Sequence, residues 1–290
     1  MFAPLTAPFD SDGNLQPERL RENIGRYNQT QLAGYAINGS TGESVLLRWA
    51  EVERLWETAA ESAAPDKFLL AGSGAESTGE TIEMTRRAAR IGYHAALVRT
   101  PSYYMPQMTD AAEAEHFLRV ADSSPIPVVL YSVPIFTGYT MEAPLVARLT
   151  AHPNIIGMKD SSGDVARVGR IVSVVPAEFR LLIGSAPLLA ATATKGAAGA
   201  ILAMACVFPE MCAEIYEAAN RHDGEHAKML QRKLSAASAV ISRAGIPGIK
   251  CAMDARGYYG GPSRMPLLPL DAIQKAEAEA VVATTVGIAG

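Results

Sequence analysis

The feature that most constrains this chain is a recurring unit: a short apolar run, a turn of small residues, then an amphipathic segment. The runs are YAIN (35–38), KFLLAG (67–72), HAALVRT (94–100), PVVLYS (127–132), NIIGMK (154–159), FRLLIG (179–184) and GAILAMA (199–205). Each has the length of a buried strand and is too short for a buried helix. FAPLTAPF at the start supplies one more. Between them, RWAEVERLWETAAESAA and STGETIEMTRRAARIG place apolar residues every three or four positions, the period of an amphipathic helix. Alternation of this kind implies βα units around a parallel sheet. About eight units within about 200 residues match the size of a closed barrel. The expected fold class is therefore α/β, a (β/α)8 TIM barrel. An open, doubly wound sheet is the alternative, and GSGAES (72–77) hints at a dinucleotide loop. That loop lacks the third glycine, and no acidic residue obviously ends the following strand.

After about residue 206 the alternation stops and PEMCAEIYEAANRHDGEHAKMLQRKLSAASAVISRAG reads as helix. The expected division is a barrel catalytic domain over 1–221 and a C-terminal helical extension over 222–290, packed on the barrel. No Gly/Ser linker separates the two.

Composition narrows the function classes. The 290 residues are 49% hydrophobic, enough for a large core, with a net charge of −4. Nucleic-acid binding needs clustered Lys and Arg, and the densest basic spot, Arg86-Arg87 with Arg90, sits on a helix among Glu and Thr. Three cysteines, Cys206, Cys212 and Cys251, form no regular disulfide framework and suit a reducing compartment. MFAPLTAPFDSDG lacks the basic start and apolar stretch of a signal peptide, and no apolar run is long enough to span a bilayer. A soluble cytoplasmic protein is expected, with neither nucleic acid nor membrane as partner.

In a βα barrel, chemistry collects in the loops after the strands. Those loops read NGSTGES, GSGAES, TPSYY, YSVP, KDSSGD and GSAP. Small residues there let backbone N–H groups approach a ligand, and successive amides in a turn make a carboxylate site. Two residues have reactivity to offer, Lys159 and Tyr131, on adjacent strands. A lysine amine attacks a carbonyl only when deprotonated, and apolar surroundings favour the neutral amine. Ile155, Ile156 and Met158 supply apolar neighbours in sequence. A tyrosine beside such an amine can relay protons. Together they suit imine formation with a 2-oxo acid. On the residues alone, Lys159 as a solvated strand end and Lys159 as a Schiff-base nucleophile both stand.

Other candidates carry less. His222 and His226, four apart on an expected helix, lack a third ligand and read as a surface pair. GSTG lacks the pattern around a serine nucleophile. Cys206 reads as core packing. Asp160 and Asp164 read as loop-fixing and helix-capping groups. Tyr258-Tyr259-Gly260-Gly261 reads as a structural turn.

GSTGE (39–43), YSVP (131–134) and GMKDSSGD (157–164), in that order, resemble the signatures of the dihydrodipicolinate synthase/N-acetylneuraminate lyase superfamily of class I aldolases. The similarity spans nearly the whole chain, including IPGIK and YYGGPSRMPL. It implies a pyruvate-dependent lyase that works through a covalent imine, with no metal or other cofactor, usually as a homotetramer built as a dimer of dimers. It places the Schiff-base lysine at Lys159 and the proton-relay tyrosine at Tyr131, with Ser40 and Thr41 on the substrate carboxylate. Gly184 and Ile201 would line the pocket beside the imine. Tyr103, with Tyr104 as the fallback, would complete the relay from the neighbouring subunit.

One departure bears on substrate. Dihydrodipicolinate synthases carry an arginine two residues after the YNVP-type proline, where it binds a carboxylate. Here YSVPIFTG has Phe136, which cannot pair with one. The stretches LLAGSGAEST, PIPVVLYSVPIFTG, HPNIIGMKDSSGD and AGIPGIK look closest to the 4-hydroxy-2-oxoglutarate aldolase branch, which yields pyruvate and glyoxylate. Ser161 and Ser40 are then candidates for the substrate's distal end. The alternatives are dihydrodipicolinate synthase itself, condensing pyruvate with aspartate semialdehyde, and a 2-keto-3-deoxy sugar acid aldolase or dehydratase. A non-catalytic ligand-binding barrel is the reading from a different class.

Overall fold

A computed structural model describes residues Met1–Gly287; positions 288–290 of the expected extension lie outside the described residues. One sheet holds β1 (Phe2–Pro4), β2 (Gly34–Ile37), β3 (Phe68–Gly72), β4 (Ala95–Arg99), β5 (Val128–Ser132), β6 (Ile155–Asp160), β7 (Arg180–Ile183) and β8 (Gly199–Ala200), in sequence order. Every described pairing is parallel. The helices between and after them are α1 (Pro17–Tyr27), α2 (Trp49–Ser62), α3 (Thr78–Ile91), α4 (Asp110–Ser123), the short α5 (Pro134–Thr137), α6 (Ala143–Leu149), α7 (Val165–Val172), α8 (Leu189–Ala193) and α9 (Pro209–Asn220). This alternation is the (β/α)8 barrel expected from the repeat. Helices α10 (Gly224–Arg243), α11 (Gly245–Ala255) and α12 (Ala272–Val286) follow it.

Several expected strands end early: FAPLTAPF is a strand only over Phe2–Pro4, and two others stop for a visible local reason. Asn38 closes YAIN in the left-handed region, at φ 66°, where asparagine is tolerated and extended pairing stops. GAILAMA forms only a two-residue strand, and Ala203–Cys206 winds into a 3-10 turn. Alanine has little strand preference to resist that turn. One helical expectation also changes. His222 lies in the turn before α10, at φ 62°, and only His226 is helical, where it pairs with Glu214 at 3.2 Å.

The chain divides into two compact units, Met1–Lys67 with Leu202–Gly290, and Phe68–Ile201. In the first, Tyr27 stacks on Tyr258 with centroids 4.4 Å apart, and its hydroxyl donates to the Cys206 carbonyl at 2.6 Å. Cys206 is buried, as its reading as core packing required. The Tyr259 hydroxyl donates to the Phe9 carbonyl at 2.7 Å, and Gly260 passes so close to the Lys250 carbonyl that a Cβ would sit 1.9 Å from it. The Tyr-Tyr-Gly-Gly segment is therefore a structural one, though the turn itself lies just before it, at Arg256-Gly257.

The same unit contains a buried ion pair. Glu43 follows the 3-10 turn Ser40–Gly42 in the left-handed region, at φ 58°, which a non-glycine residue occupies only when its surroundings hold it there. Lys250 Nζ contacts Glu43 Oε1 at 2.6 Å and donates to the Pro262 carbonyl at 2.8 Å, while the Arg264 N–H donates to Glu43 Oε2 at 2.8 Å. Gly42 beside it approaches the Leu5 carbonyl too closely for any side chain. These contacts tie GSTGE to both IPGIK and YYGGPSRMPL.

In the second unit β4, β5, β6 and β7 carry Val98, Leu130, Met158 and Leu181, and α4 and α7 carry Phe117, Val120 and Ile171, all buried. Each such side chain contributes roughly 1.5–3 kcal/mol when removed from water. Gly157 on β6 approaches the Arg180 carbonyl of β7 so closely that a Cβ would sit 2.5 Å from it. Helix α3 starts at Ser77, whose hydroxyl accepts from the Glu80 N–H at 3.1 Å, and stops at Gly92, at φ 103°. Among the described residues, no helix is long and apolar enough to cross a membrane.

Lys250→Met strands a buried carboxylate, and breaking such a pair should cost about 3–5 kcal/mol. Urea unfolding measures this; a loss below ~1 kcal/mol, the size of an exposed pair, would contradict a structural role for Lys250.

Candidate active site

Lys159 is the fifth residue of β6, and its register partner on β5 is Tyr131. Residues paired in this way project to the same face of a sheet. The two side chains meet: Lys159 Nζ lies 4.2 Å from the Tyr131 ring centroid, and each residue is only 5% exposed. Two other lysines are similarly buried, Lys67 and Lys250. Lys67 donates to the Thr30 and Leu32 carbonyls at 3.2 and 3.0 Å, and Lys250 is held by Glu43. Among the described residues, Lys159 Nζ has no ion-pair or hydrogen-bond partner of this kind. This buried amine rests on a tyrosine ring, whereas the other two buried lysines brace carbonyl or carboxylate groups.

The loop after Lys159 is fixed from behind. Asp160 is buried and pairs with Arg167 Nε at 3.3 Å. It also accepts from the Ser162 N–H at 3.1 Å and the Ser162 hydroxyl at 2.9 Å. Arg167 extends this anchor to Glu142 at 3.1 Å and to the Met141 carbonyl. Asp164 caps α7, accepting from the Ala166 and Arg167 N–H groups at 2.8 and 3.1 Å, and the Arg167 N–H foremost holds its carboxyl below the usual range. Neither aspartate is left over for acid–base work, as their sequence context indicated.

Gly184, at the end of β7, donates its N–H to the Asp160 carbonyl at 2.8 Å. A Cβ there would stand 1.9 Å from Ser161 Oγ and 3.2 Å from Lys159 Cε. Lys159, Tyr131, Ser161 and Gly184 are thus one cluster. Ile201 is buried just beyond β8 and donates its N–H to the Ile183 carbonyl at 2.9 Å. Phe136 lies on α5 with 67% of its surface exposed, and α5 carries no cation. Tyr103 and Tyr104 meet edge to face, with centroids 5.2 Å apart. Both are exposed, Tyr103 by 80%, so neither is buried with Lys159 within this chain. Ser40 and Thr41 open the 3-10 turn in the other unit, where Thr41 is buried.

The sequence reading missed a polar group around the Tyr103 loop. Glu76 binds that loop's backbone. Glu113 and His116, one helical turn apart on α4, are both buried. His116 Nδ1 meets the Thr78 hydroxyl at 2.9 Å, while its Nε2 and both Glu113 oxygens have no hydrogen-bond partner. Burial, reinforced by Glu76 and Asp110, pushes the Glu113 carboxyl up to about 8; burial and Arg99 pull His116 down to about 4. Glu113 sits among alanines in DAAEAEHF, so nothing in the local sequence marked it.

The chain matches the dihydrodipicolinate synthetase family over residues 1–285. It belongs to that family. A 4-hydroxy-tetrahydrodipicolinate synthase from Stenotrophomonas maltophilia is 34% identical over 279 residues, covering 96% of this chain and 93% of that protein. Among solved structures, dihydrodipicolinate synthase DapA-2 from Bacillus anthracis superposes with a TM-score of 0.93 at 25% identity, covering 98% of this chain and 97% of the other. YagE from E. coli K12, a prophage protein of the dihydrodipicolinic acid synthase family solved in complex with pyruvate, gives 0.92 at 26% identity, with the same coverage. Members of the dihydrodipicolinate synthetase family are class I pyruvate-dependent lyases that act through a lysine–pyruvate Schiff base.

Two outcomes test this site. Gly184→Ala must displace Ser161 or Lys159, and should lower turnover by about tenfold or more with the fold retained, since misplacements near 1 Å have such effects. Steady-state kinetics beside a thermal melt would read it, and unchanged turnover would show that the cluster is not packed for catalysis. The second outcome concerns Glu113. Below about 4.5 folded and unfolded chains both hold its proton; between there and about 8 only the folded chain does, so stability falls as pH rises through that window. In urea unfolding, Glu113→Gln should gain on the parent near the top of that window and not at its foot. An equal effect at both ends would contradict the assignment.

Proposed function

We propose that the chain is an aldolase that cleaves 4-hydroxy-2-oxoglutarate to pyruvate and glyoxylate, with Lys159 as the nucleophile. The observation that carries the nucleophile is the buried Lys159 amine on the Tyr131 ring, without a carboxylate partner. Lys159 attacks the C2 ketone, and Tyr131 moves protons through the carbinolamine until water leaves and the imine stands. Tyr131 then accepts the C4 hydroxyl proton as the C3–C4 bond breaks. The bond's electrons flow into the protonated imine, glyoxylate departs, and an enamine of pyruvate remains. Protonation at C3 and hydrolysis return free pyruvate and the amine.

The other roles follow from the resemblance. Ser40 and Thr41 bind the substrate's C1 carboxylate, Gly184 and Ile201 line the space beside the imine, and Ser161 contacts the distal end. Tyr103 completes the relay from a neighbouring subunit of a homotetramer; its exposure in the single chain supports this. The proposed division of labour is a barrel catalytic domain over 1–221 and a helical extension over 222–290. The proposed compartment is the cytoplasm.

The substrate choice rests on Phe136, which offers no cation where a synthase has an arginine. A second reading, 4-hydroxy-tetrahydrodipicolinate synthase, is favoured by the name of the S. maltophilia relative. Borohydride reduction with pyruvate should leave a pyruvyl adduct on Lys159 by mass spectrometry; an unmodified Lys159 would sink the mechanism. In a substrate panel, pyruvate release from 4-hydroxy-2-oxoglutarate should exceed both sugar-acid cleavage and condensation with aspartate semialdehyde. A different ranking would reassign the substrate and leave the Schiff base standing.

A further inference from the structure

Tyr103 has little to hold it in place by packing, since its ring and that of Tyr104 are exposed. Its backbone, by contrast, is bound by a side chain from the preceding loop. Glu76 Oε2 accepts the Ser102 and Tyr103 N–H groups at 2.8 and 2.9 Å. Oε1 accepts from Arg99 Nη1 at 2.7 Å and from the Ser102 hydroxyl at 3.3 Å. Hydrogen bonds to an ionised carboxylate are about twice as strong as neutral ones. Burial alone would raise the Glu76 carboxyl, but the two N–H groups and Arg99 bring it down to about 2. It is therefore an anion at neutral pH.

Arg99 connects this clamp to the buried cluster. It is the register partner of Tyr131, which is itself the partner of Lys159. Gly74 brings the loop that carries Glu76 close over it: a Cβ there would sit 2.5 Å from the Arg99 nitrogen and 2.8 Å from its Cγ. The path runs from Lys159 and Tyr131 across β4 to Arg99, then through Glu76 to the Tyr103 backbone.

We infer that Glu76 is a positioning residue, whose carboxylate sets the Tyr103 backbone relative to the strand row that bears Tyr131 and Lys159. The inference rests on the reading of Tyr103 as a relay residue. Glu76 touches no reacting atom and acts only through Tyr103, which separates it from a residue that merely stabilises the chain.

The test is a double-mutant cycle on the full-length enzyme, using the panel substrate it turns over fastest. Tyr103→Phe should lower kcat. Glu76→Ala should lower kcat about tenfold or more, with KM changed less than about threefold, because a displaced relay group impairs the reaction more than substrate binding. Glu76→Gln keeps an acceptor oxygen and should recover part of the loss. In the Tyr103→Phe background, Glu76→Ala should have little further effect. If Tyr103→Phe is impaired and Glu76→Ala multiplies that loss in full, or has no effect by itself, the inference fails and the reading of Tyr103 survives. If Tyr103→Phe is silent, the reading of Tyr103 fails and takes the inference with it. Should Glu76→Ala unfold, as its thermal melt would show, Glu76→Gln carries the cycle with the same two outcomes.

Discussion

The candidate site depends on one parallel ladder. Strands β5, β6 and β7 lie in a register that pairs Tyr131 with Lys159 and Asp160 with Ile183. That register brings Gly157 against the Arg180 carbonyl and Gly184 against Ser161 and Lys159, both approaches that a side chain would block. A one-residue slip would turn Lys159 to the opposite face and bring Asp160 in its place. The register and the two glycines are therefore one constraint, and the chemistry of the site follows from it.

Charge burial is handled in two ways. Lys250, Lys67 and Asp160 are buried with partners, and each fixes a segment: the GSTGE turn, the end of the loop before β3, and the loop after β6. Glu113 is buried with no hydrogen-bond partner on either oxygen, and Lys159 is buried with its amine on the Tyr131 ring. Burying an ionisable group in this way costs stability. The chain accepts that cost at Lys159, beside Tyr131, and at Glu113, whose carboxyl burial pushes up to about 8.

Much of the architecture was legible because strand and helix have different periods. The βα repeat gave eight strands, although β1 and β8 are much shorter than their runs, and at two strand ends the backbone explains the difference. Asn38 turned left-handed at the end of β2, and the alanines of GAILAMA wound into a turn. Lys159 and Tyr131 were legible as candidates because each ends an apolar run. Glu76, Glu113 and Arg99 were not. Glu76 stands in a loop, Arg99 ends a strand and Glu113 lies among alanines on a helix; the first two act through contacts 23 to 27 residues apart, Glu76 with Arg99 and with Tyr103, and Glu113 is set apart only by its burial.

The sequence by itself determined the number of βα units, the residue types at the strand ends and the family to which the chain belongs. Those are consequences of local pattern, which survives in one dimension. Only the tertiary structure decided which of three buried lysines stands without a partner, because burial and pairing depend on residues far apart in the chain. It also decided that Tyr103 is exposed while its backbone is clamped by Glu76. Neither fact has a local signature, since each arises where separate loops meet.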